Sequence, residues 1–152
     1  MDAFDIMNYM EKALHKISVR ALCERIYRSG SLLGAGYGGV SGLDGTRMHQ
    51  RVFKDIKKEY GEDGVTSEYS LGTTREYELF TIQISGRADC IIEEADGKVN
   101  IIEIKTHNRV VEKVESLILP THDAQVKIYA HLYYLSHAEV EDLTITLRYT
   151  RP

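Results

Sequence analysis

Two charged residues lie inside an isoleucine-rich segment near the middle of the chain. Residues 99–106 read VNIIEIKT, so Glu103 and Lys105 stand among apolar neighbours that would occupy both faces of a buried strand. Asp89 is in the same situation, directly before the apolar residues 90–92. Burying a charge is costly unless the charge is paired or bound to a metal ion. These three side chains are therefore the first candidates for chemistry.

The turn between the two segments decides whether the three side chains meet. Residues i and i+2 of a strand point to the same face, so Glu103 and Lys105 share one. A two-residue turn would send the Asp89 carboxylate to the opposite face. A three-residue loop over residues 95–97, with its glycine in the left-handed position, would instead pair Asp89 with Glu103 directly. We predict the three-residue loop or an equivalent bulge.

Two carboxylates and one ammonium at one point suit a particular chemistry. Carboxylate pairs with open positions suit Mg²⁺ or Mn²⁺, which prefer oxygen ligands. Such an ion would polarise a scissile phosphate and lower the pKa of a bound water. Lys105 would orient that water or stabilise charge in the transition state. The alternative is a structural network of the same charges, and the spacing alone leaves both interpretations open.

The motifs around these residues resemble those of the PD-(D/E)XK nuclease superfamily. GRAD at residues 86–89, fourteen residues before EIK at 103–105, looks like the paired motifs of that superfamily. GTRMH at 45–49 resembles the glycine-to-histidine motif of its RecB-like and Cas4-like branch, and QVKIY at 125–129 matches that branch's QxxxY helix. The four motifs stand in the family's order over roughly residues 44–135.

The resemblance implies roles for individual residues. The implied metal ligands are three side chains and one main-chain carbonyl, those of His49, Asp89, Glu103 and Ile104 respectively. The implied catalytic residues are Asp89, Glu103, Lys105, Gln125 and Tyr129, of which the last two would brace the site or touch DNA. The candidate nucleic-acid contacts are Tyr129, from the resemblance, and Arg87 and Lys127, which their charge makes candidate phosphate contacts.

The function implied by this resemblance is that of a Mg²⁺- or Mn²⁺-dependent deoxyribonuclease, acting in DNA repair or recombination on single strands or ends. Residues 17–34 also resemble the nuclease-like domain that precedes Rad3/DinG-type helicases, which implies a helicase as partner or fused neighbour. The chain itself holds no Walker A motif. Two alternatives stay open: a non-catalytic DNA-binding module of a helicase or repair complex, and a protein-interaction domain without a nucleic-acid role.

Composition sets bounds on these functions. The chain has 152 residues and a net charge of -4, so it lacks the overall basic character of a passive nucleic-acid binder. Contact with a phosphate backbone must then come from a local basic patch or through bound metal. Cys23 and Cys90 form no CxxC pair, which excludes a four-cysteine iron–sulfur cluster and predicts buried free thiols. No segment approaches the roughly 20 apolar residues of a membrane span, so we expect a cytoplasmic protein.

The elements that must position these residues follow from hydrophobic periodicity. Helices are predicted over 1–16, 19–28, from Asp44 or Thr46 to Tyr60, and from Thr121 or Asp123 to His137. Strands are predicted over 66–72, 77–84, 86–94, 98–105 and 143–150, and loops over 30–42 and 106–120. This order predicts an α/β domain with a central mixed sheet flanked by helices. The resemblance implies a restriction-endonuclease-like αβββαβ core over 44–150 within a single domain 1–152, preceded by N-terminal helices and a glycine-rich loop over 1–43.

Overall fold

A five-stranded mixed sheet with helices on both faces organises the chain. The computed structural model describes residues 12–27, 42–107 and 118–152. In chain order the elements are β1 (Ala13–Ser18), α1 (Val19–Ile26), α2 (Gly42–Tyr60), β2 (Val65–Glu76), β3 (Phe80–Glu93), β4 (Val99–Thr106), α3 (Pro120–Ser136) and β5 (Leu143–Thr150). From α2 onward the order is αβββαβ, so the predicted fold class is confirmed.

The N-terminal helix predicted over 1–16 is wrong for the part of it that is described. Residues 1–11 lie outside the described residues, but Ala13–Ser18 form strand β1. This strand pairs in parallel with β3, from Ala13 opposite Phe80 to Ser18 opposite Ser85. Backbone hydrogen bonds to a neighbouring strand override the helical spacing of the side chains, which is a weak prior on its own.

The two strands predicted over 77–84 and 86–94 are one continuous strand, β3. β2 is also longer than predicted and pairs antiparallel with β3 from Val65 opposite Ile92 to Glu76 opposite Thr81. β4 follows by a hairpin, and β5 then lies parallel to β4 from Val99 opposite Leu143 to Thr106 opposite Thr150. The helical crossover α3 makes this parallel arrangement possible, as the sequence predicted.

The predicted N-cap residue is correct for α1 and wrong for α3. Ser18 caps α1 as predicted, because its side chain accepts a hydrogen bond from Ala21 N at 3.1 Å. α3 begins at Pro120, whose fixed φ suits the first helical position, so Thr121 and Asp123 lie inside the first turn rather than capping it. The loops predicted over 30–42 and 106–120 fall largely outside the described residues.

Two hydrophobic cores cover the two faces of the sheet. The core beneath α1 and α3 contains Val19, Ile91, Ile101, Val126 and Tyr133, together with Cys23. The core beneath α2 contains Val52, Ile56, Ile92, Ile102 and Ile104, together with Cys90. Both cysteines are buried free thiols, as predicted.

β2 and β3 change faces together at one point in the sheet. Ala88 lies in the core beneath α1 and α3, whereas Cys90 lies in the core beneath α2, although i and i+2 share a face on a regular strand. The pairing register with β2 is the same on both sides of the change. At that point Glu68, opposite Asp89, has φ of 51°, which is unusual for a residue other than glycine. Asp89 therefore occupies an irregular position that re-aims its side chain.

Candidate active site

β1 and β4 pair with different parts of the same edge of β3 and leave a gap, which we call the fork, at the site. On the edge of β3 away from β2, β1 pairs up to Ser85 and β4 pairs from Cys90 onward. Residues 86–89 lie between these two stretches and, within the described residues, pair with no strand on that edge. The GRAD motif is therefore the segment at which β1 and β4 diverge. Backbone groups there need other partners.

The hairpin between β3 and β4 has the predicted three-residue loop. Gly97 has φ of 89°, and Glu94 N donates to Lys98 O at 2.8 Å, which closes a loop over residues 95–97. The resulting register points Asp89 at Glu103, but the pairing stops one step earlier, at Cys90 opposite Ile102. Asp89 and Glu103 therefore do not form the direct backbone pair that we predicted, and Asp89 contacts β4 through its side chain instead.

That contact is a hydrogen bond from the β4 backbone to the Asp89 side chain. Asp89 Oδ2 accepts from Ile104 N at 2.7 Å, while Oδ1 lies 3.6 Å from His49 Nδ1 on α2. Burial raises the pKa of Asp89, and the Ile104 amide and His49 partly oppose that rise. Three of the four predicted metal ligands, His49, Asp89 and the Ile104 main chain, thus lie together on the α2 side.

Glu103 lies on the other face of β4, under α3. Its side chain is only 4% exposed, and Oε1 accepts from Lys105 Nζ at 2.7 Å and from Gln125 Nε2 at 2.8 Å. Burial, and then the charge of Asp89, raise the pKa of Glu103 to about 7, despite the opposing ammonium of Lys105. Glu103 Oε2 is buried and has no hydrogen-bond partner among the described residues.

Gln125 fixes the catalytic lysine candidate. Lys105 Nζ donates to Gln125 Oε1 at 2.9 Å as well as to Glu103, so the amide bridges the ion pair from both ends. Gln125 Nε2 also lies 3.4 Å from Tyr129 Oη, one turn further along α3. The predicted residues Glu103, Lys105, Gln125 and Tyr129 therefore form one hydrogen-bonded cluster.

Tyr129 reaches across to the fork and packs on Gly86. A Cβ at position 86 would lie 2.8 Å from the Tyr129 ring and 2.9 Å from its hydroxyl oxygen. Burial raises the pKa of Tyr129, and a hydrogen bond with the Arg87 backbone opposes that rise. The tyrosine hydroxyl therefore lies against the backbone that β1 and β4 leave uncovered.

Gly86→Ala will destabilise the protein by about 1–3 kcal/mol, because the buried Tyr129 ring must move to admit a methyl group. Urea unfolding at neutral pH measures this change. Gly45→Ala is the matched control, since a Cβ at that helical position meets nothing within 4 Å and alanine favours a helix. Equal unfolding midpoints for Gly86→Ala and wild type would show that the ring moves freely.

The donor set fits a hard divalent cation. It comprises two carboxylates that burial disfavours as anions, one of which has a bare oxygen, and the Ile104 main chain beside them. In the part of the chain that the structure describes, no three His, Cys, Asp or Glu side chains form a ready-made metal cluster. The oxygen-rich chemistry nevertheless suits Mg²⁺ or Mn²⁺, which combine few protein carboxylates with water and substrate oxygens.

A family model of the PD-(D/E)XK nuclease superfamily matches residues 17–152. The chain belongs to this superfamily. A search of the curated proteins finds no match. The solved structure titled "Crystal structure of SSO0001" aligns with a TM-score of 0.60 and 23% identity, over 98% of this chain and 68% of that chain. At that identity the likeness shows the fold alone.

Membership of the PD-(D/E)XK superfamily confirms the family and the fold predicted from the motifs. Nucleases of this superfamily generally use divalent metal ions. The RecB-like branch and the association with a helicase stay predictions. Among the described residues, no helix is long and apolar enough to cross a membrane.

The two basic residues predicted to contact nucleic acid lie on the surface of this PD-(D/E)XK domain. Arg87 Nη1 lies 3.2 Å from Glu68 Oε2, and Lys127 Nζ lies 2.7 Å from Asp123 Oδ2. Each cation already has an acidic neighbour, and neither side chain joins the hydrogen-bonded cluster. Their role in binding stays a prediction.

Two residues that sequence reasoning missed line a cavity at the candidate site. This cavity of about 420 Å³ is bordered by Arg20 and His122 as well as by Lys105 and Gln125. Burial, followed by the charges of Lys105 and Arg20, lowers the pKa of His122 to about 4, so its ring is neutral. The available signal was spacing, since His122 lies three residues before Gln125 on the same helix.

Proposed function

We propose that this chain is a Mg²⁺- or Mn²⁺-dependent deoxyribonuclease that hydrolyses phosphodiester bonds. The observation that carries the proposal is the bare oxygen of Glu103, which is buried beside a second carboxylate, Asp89. Of the two Glu103 oxygens, the ammonium of Lys105 contacts only the other one, Oε1. Among the described residues, two carboxyl groups therefore share the neighbourhood of one ammonium, and one carboxyl oxygen has no hydrogen-bond donor.

A purely structural network would be arranged differently. Buried polar groups in folded proteins nearly always have hydrogen-bond partners, and leaving one bare costs about 1–3 kcal/mol or more when it is charged. Glu103 also has a pKa raised to about 7, so its ionised form is unfavourable in this site. Raised pKa values at buried carboxylate pairs favour a functional role over a stabilising one.

The residues of the chain divide the work between holding an ion and positioning the reactants. The carboxylates of Asp89 and Glu103, the carbonyl of Ile104 and His49 are the groups that would hold the cation. When bound, the cation supplies charge neutralisation at the phosphate and acidifies water. Glu103 must give up its proton for this role, so we expect ion binding to release protons near neutral pH.

Lys105 supplies a hydrogen-bond donor to the reacting groups. An ammonium has three donors, and Glu103 and Gln125 accept two of them. The third is available to the attacking water or to a phosphate oxygen in the cavity that Lys105 lines. Gln125 and Tyr129 act as positioning residues, since they fix Lys105 and Glu103 from α3.

The sequence motifs support a narrower version of the proposal. They favour a RecB-like nuclease of DNA repair or recombination that acts on single strands or ends, with a helicase as partner. The non-catalytic DNA-binding module is the second candidate, and the intact set of His49, Asp89, Glu103 and Lys105 argues against it.

The test is cleavage of end-labelled single- and double-stranded DNA in the presence of Mg²⁺, Mn²⁺ or EDTA. Asp89→Asn removes a proposed ligand and is expected to reduce cleavage by more than the roughly 10–100-fold seen when an outer-shell partner is removed. Asp96→Asn is the matched control, because Asp96 is an exposed carboxylate in the hairpin loop. We expect wild type and Asp96→Asn to cleave equally, and EDTA to stop both.

DNA binding without cleavage in any metal, by a folded wild-type protein, would reject the nuclease in favour of the non-catalytic module. Equal cleavage by Asp89→Asn and wild type would reject this site while leaving nuclease activity. The product ladder separates the two modes of attack, because an exonuclease releases short products from the labelled end and an endonuclease cuts internally.

A further inference from the structure

α2 carries a row of cationic side chains along its outer face. Residues at intervals of four, three and four along a helix lie on one face. The row, which we call the α2 basic ridge, consists of Arg47, Arg51, Lys54 and Lys58. All four are exposed, while Val52 and Ile56 on the opposite side of the helix are buried in the sheet core.

The ridge residues have no acidic partner at ion-pair distance in the described part of the protein. Within residues 12–27, 42–107 and 118–152, none of its four residues forms an ion pair. Arg87 and Lys127, in contrast, each lie within 3.2 Å of an acidic neighbour. An anionic partner at the ridge therefore displaces no ion pair of these residues.

β5 and the residue after it add two more cations beside the ridge. Arg148 and Arg151 line a surface depression together with Arg51 and Asp55. Among the described residues, Asp55 is the only acidic one that lines this depression or the adjoining one along the ridge. Because the chain as a whole has a net charge of -4, this local excess of positive charge runs against its composition.

The ridge is a neighbour of the active site. α2 also carries His49, which lines a depression with Asp89, Ile104 and Gln50. Gln50 lines the depression along the ridge as well, so the two surfaces are continuous. A long polymeric substrate held at the site would therefore have the ridge within reach.

We propose that the α2 basic ridge, with Arg148 and Arg151, binds the phosphate backbone of a nucleic-acid substrate held at the active site. This inference rests on the proposed nuclease function. From Arg47 to Lys58 the ridge spans about 16 Å, which corresponds to about five steps along one strand of B-DNA. Backbone contacts of this kind orient a substrate without reading its sequence, and their strength depends steeply on salt.

The test compares two variants that each have four positive charges fewer than wild type. The ridge variant combines Arg47→Ala, Arg51→Ala, Lys54→Ala and Lys58→Ala. The control variant combines Lys12→Ala, Lys16→Ala, Arg75→Ala and Lys98→Ala, which are exposed residues away from α2. Binding of fluorescent DNA is measured by anisotropy in EDTA over a range of salt concentrations, so that no cleavage interferes, and cleavage is measured separately with metal.

The ridge variant is expected to bind at least about 10-fold more weakly than wild type, with a smaller salt dependence. The slope of log K against log salt should fall by about 0.9 for each phosphate that the variant no longer neutralises on duplex DNA, or about 0.7 on a single strand. The control variant should retain most of the slope. Circular dichroism checks that both variants are folded, and alanine favours the helix at the ridge positions.

The outcomes separate this inference from the proposed function. Equal affinities and slopes for the two variants would overturn the proposal that the ridge binds DNA, even if wild type cleaves DNA. The basic surface would then fit an acidic protein partner. If only the ridge variant loses DNA binding and the wild type cleaves no DNA, the result would support the ridge and reject the nuclease. Absence of DNA binding by wild type overturns the ridge, while the cleavage assay still decides the nuclease.

Discussion

Lys105→Met will lower the rate of DNA cleavage by about 10²- to 10³-fold, the usual effect of removing one donor that stabilises charge in a transition state. The substitution keeps the length and much of the apolar stem of the side chain and removes only the ammonium. Lys105 Nζ lies 2.7 Å from Glu103 and 2.9 Å from Gln125, so its position is set before any substrate arrives. The decrease should therefore appear mainly in kcat, with a small change in KM.

Lys98→Met is the control for this experiment. Lys98 Nζ also lies 2.7 Å from a carboxylate, that of Asp96, but on the exposed hairpin loop. The two lysines thus form ion pairs of the same length in different places. If the two variants retain the same activity, or if Lys105→Met loses only affinity for DNA, Lys105 has no role in the chemical step.

Glu103→Gln will stabilise the metal-free protein above neutral pH while it removes cleavage activity. The pKa of Glu103 is raised to about 7, so its ionisation in the folded state is unfavourable relative to an unfolded chain. Glutamine is neutral and keeps an oxygen that can accept from Lys105 and Gln125. From the size of the pKa rise, the gain in the free energy of unfolding at pH 8 is on the order of 2–3 kcal/mol.

The direction of the pH dependence follows from the proton balance. Because the folded state binds the Glu103 proton more tightly than the unfolded state, wild-type stability from this group is greatest below the ordinary pKa of a glutamate. It then falls as the pH rises through about 7, where the folded protein also loses the proton. Asp89, whose pKa is also raised, contributes in the same direction.

Urea unfolding in EDTA at pH 5.5 and pH 8 measures this effect in wild type and Glu103→Gln. The difference between the two proteins should be larger at pH 8. Glu76→Gln is the control, since Glu76 is exposed and its replacement should change stability by less than about 0.5 kcal/mol at either pH. A Glu103→Gln protein that is less stable than wild type at pH 8 would show that the ion pair with Lys105 outweighs the burial of the carboxylate.

Much of the site could be predicted from local rules. The i and i+2 spacing puts Glu103 and Lys105 on one face, and a glycine at position 97 permits the three-residue loop that sets the register. Apolar neighbours predicted the burial of Glu103, which is almost complete. These features depend on residues close together in sequence, so the pattern of the chain contains them.

Features that depend on contacts between residues far apart in sequence could not be predicted in this way. The change of face at Asp89 requires Glu68 on the neighbouring strand to adopt a positive φ, which no glycine signals. The strand β1 exists because β3 offers it an edge, whereas the helical spacing behind the prediction came mostly from residues before β1. Arg20 reaches the cavity from a helix far from the motifs in sequence, so no local pattern marked it.

The central position of β3 has a consequence for the order in which the chain folds. β3 pairs with β1, β2 and β4, and only β2 and β4 are close to it in sequence. The β2–β3–β4 meander needs short loop closures and is expected to form early, whereas β1 must close a long loop to reach β3. Asp89, Glu103 and Lys105 all lie on the meander, but Arg20 follows β1 directly. The carboxylates of the site therefore lie in the part of the chain that needs only short loop closures, whereas the cavity wall around Arg20 depends on the long-range pairing of β1 with β3.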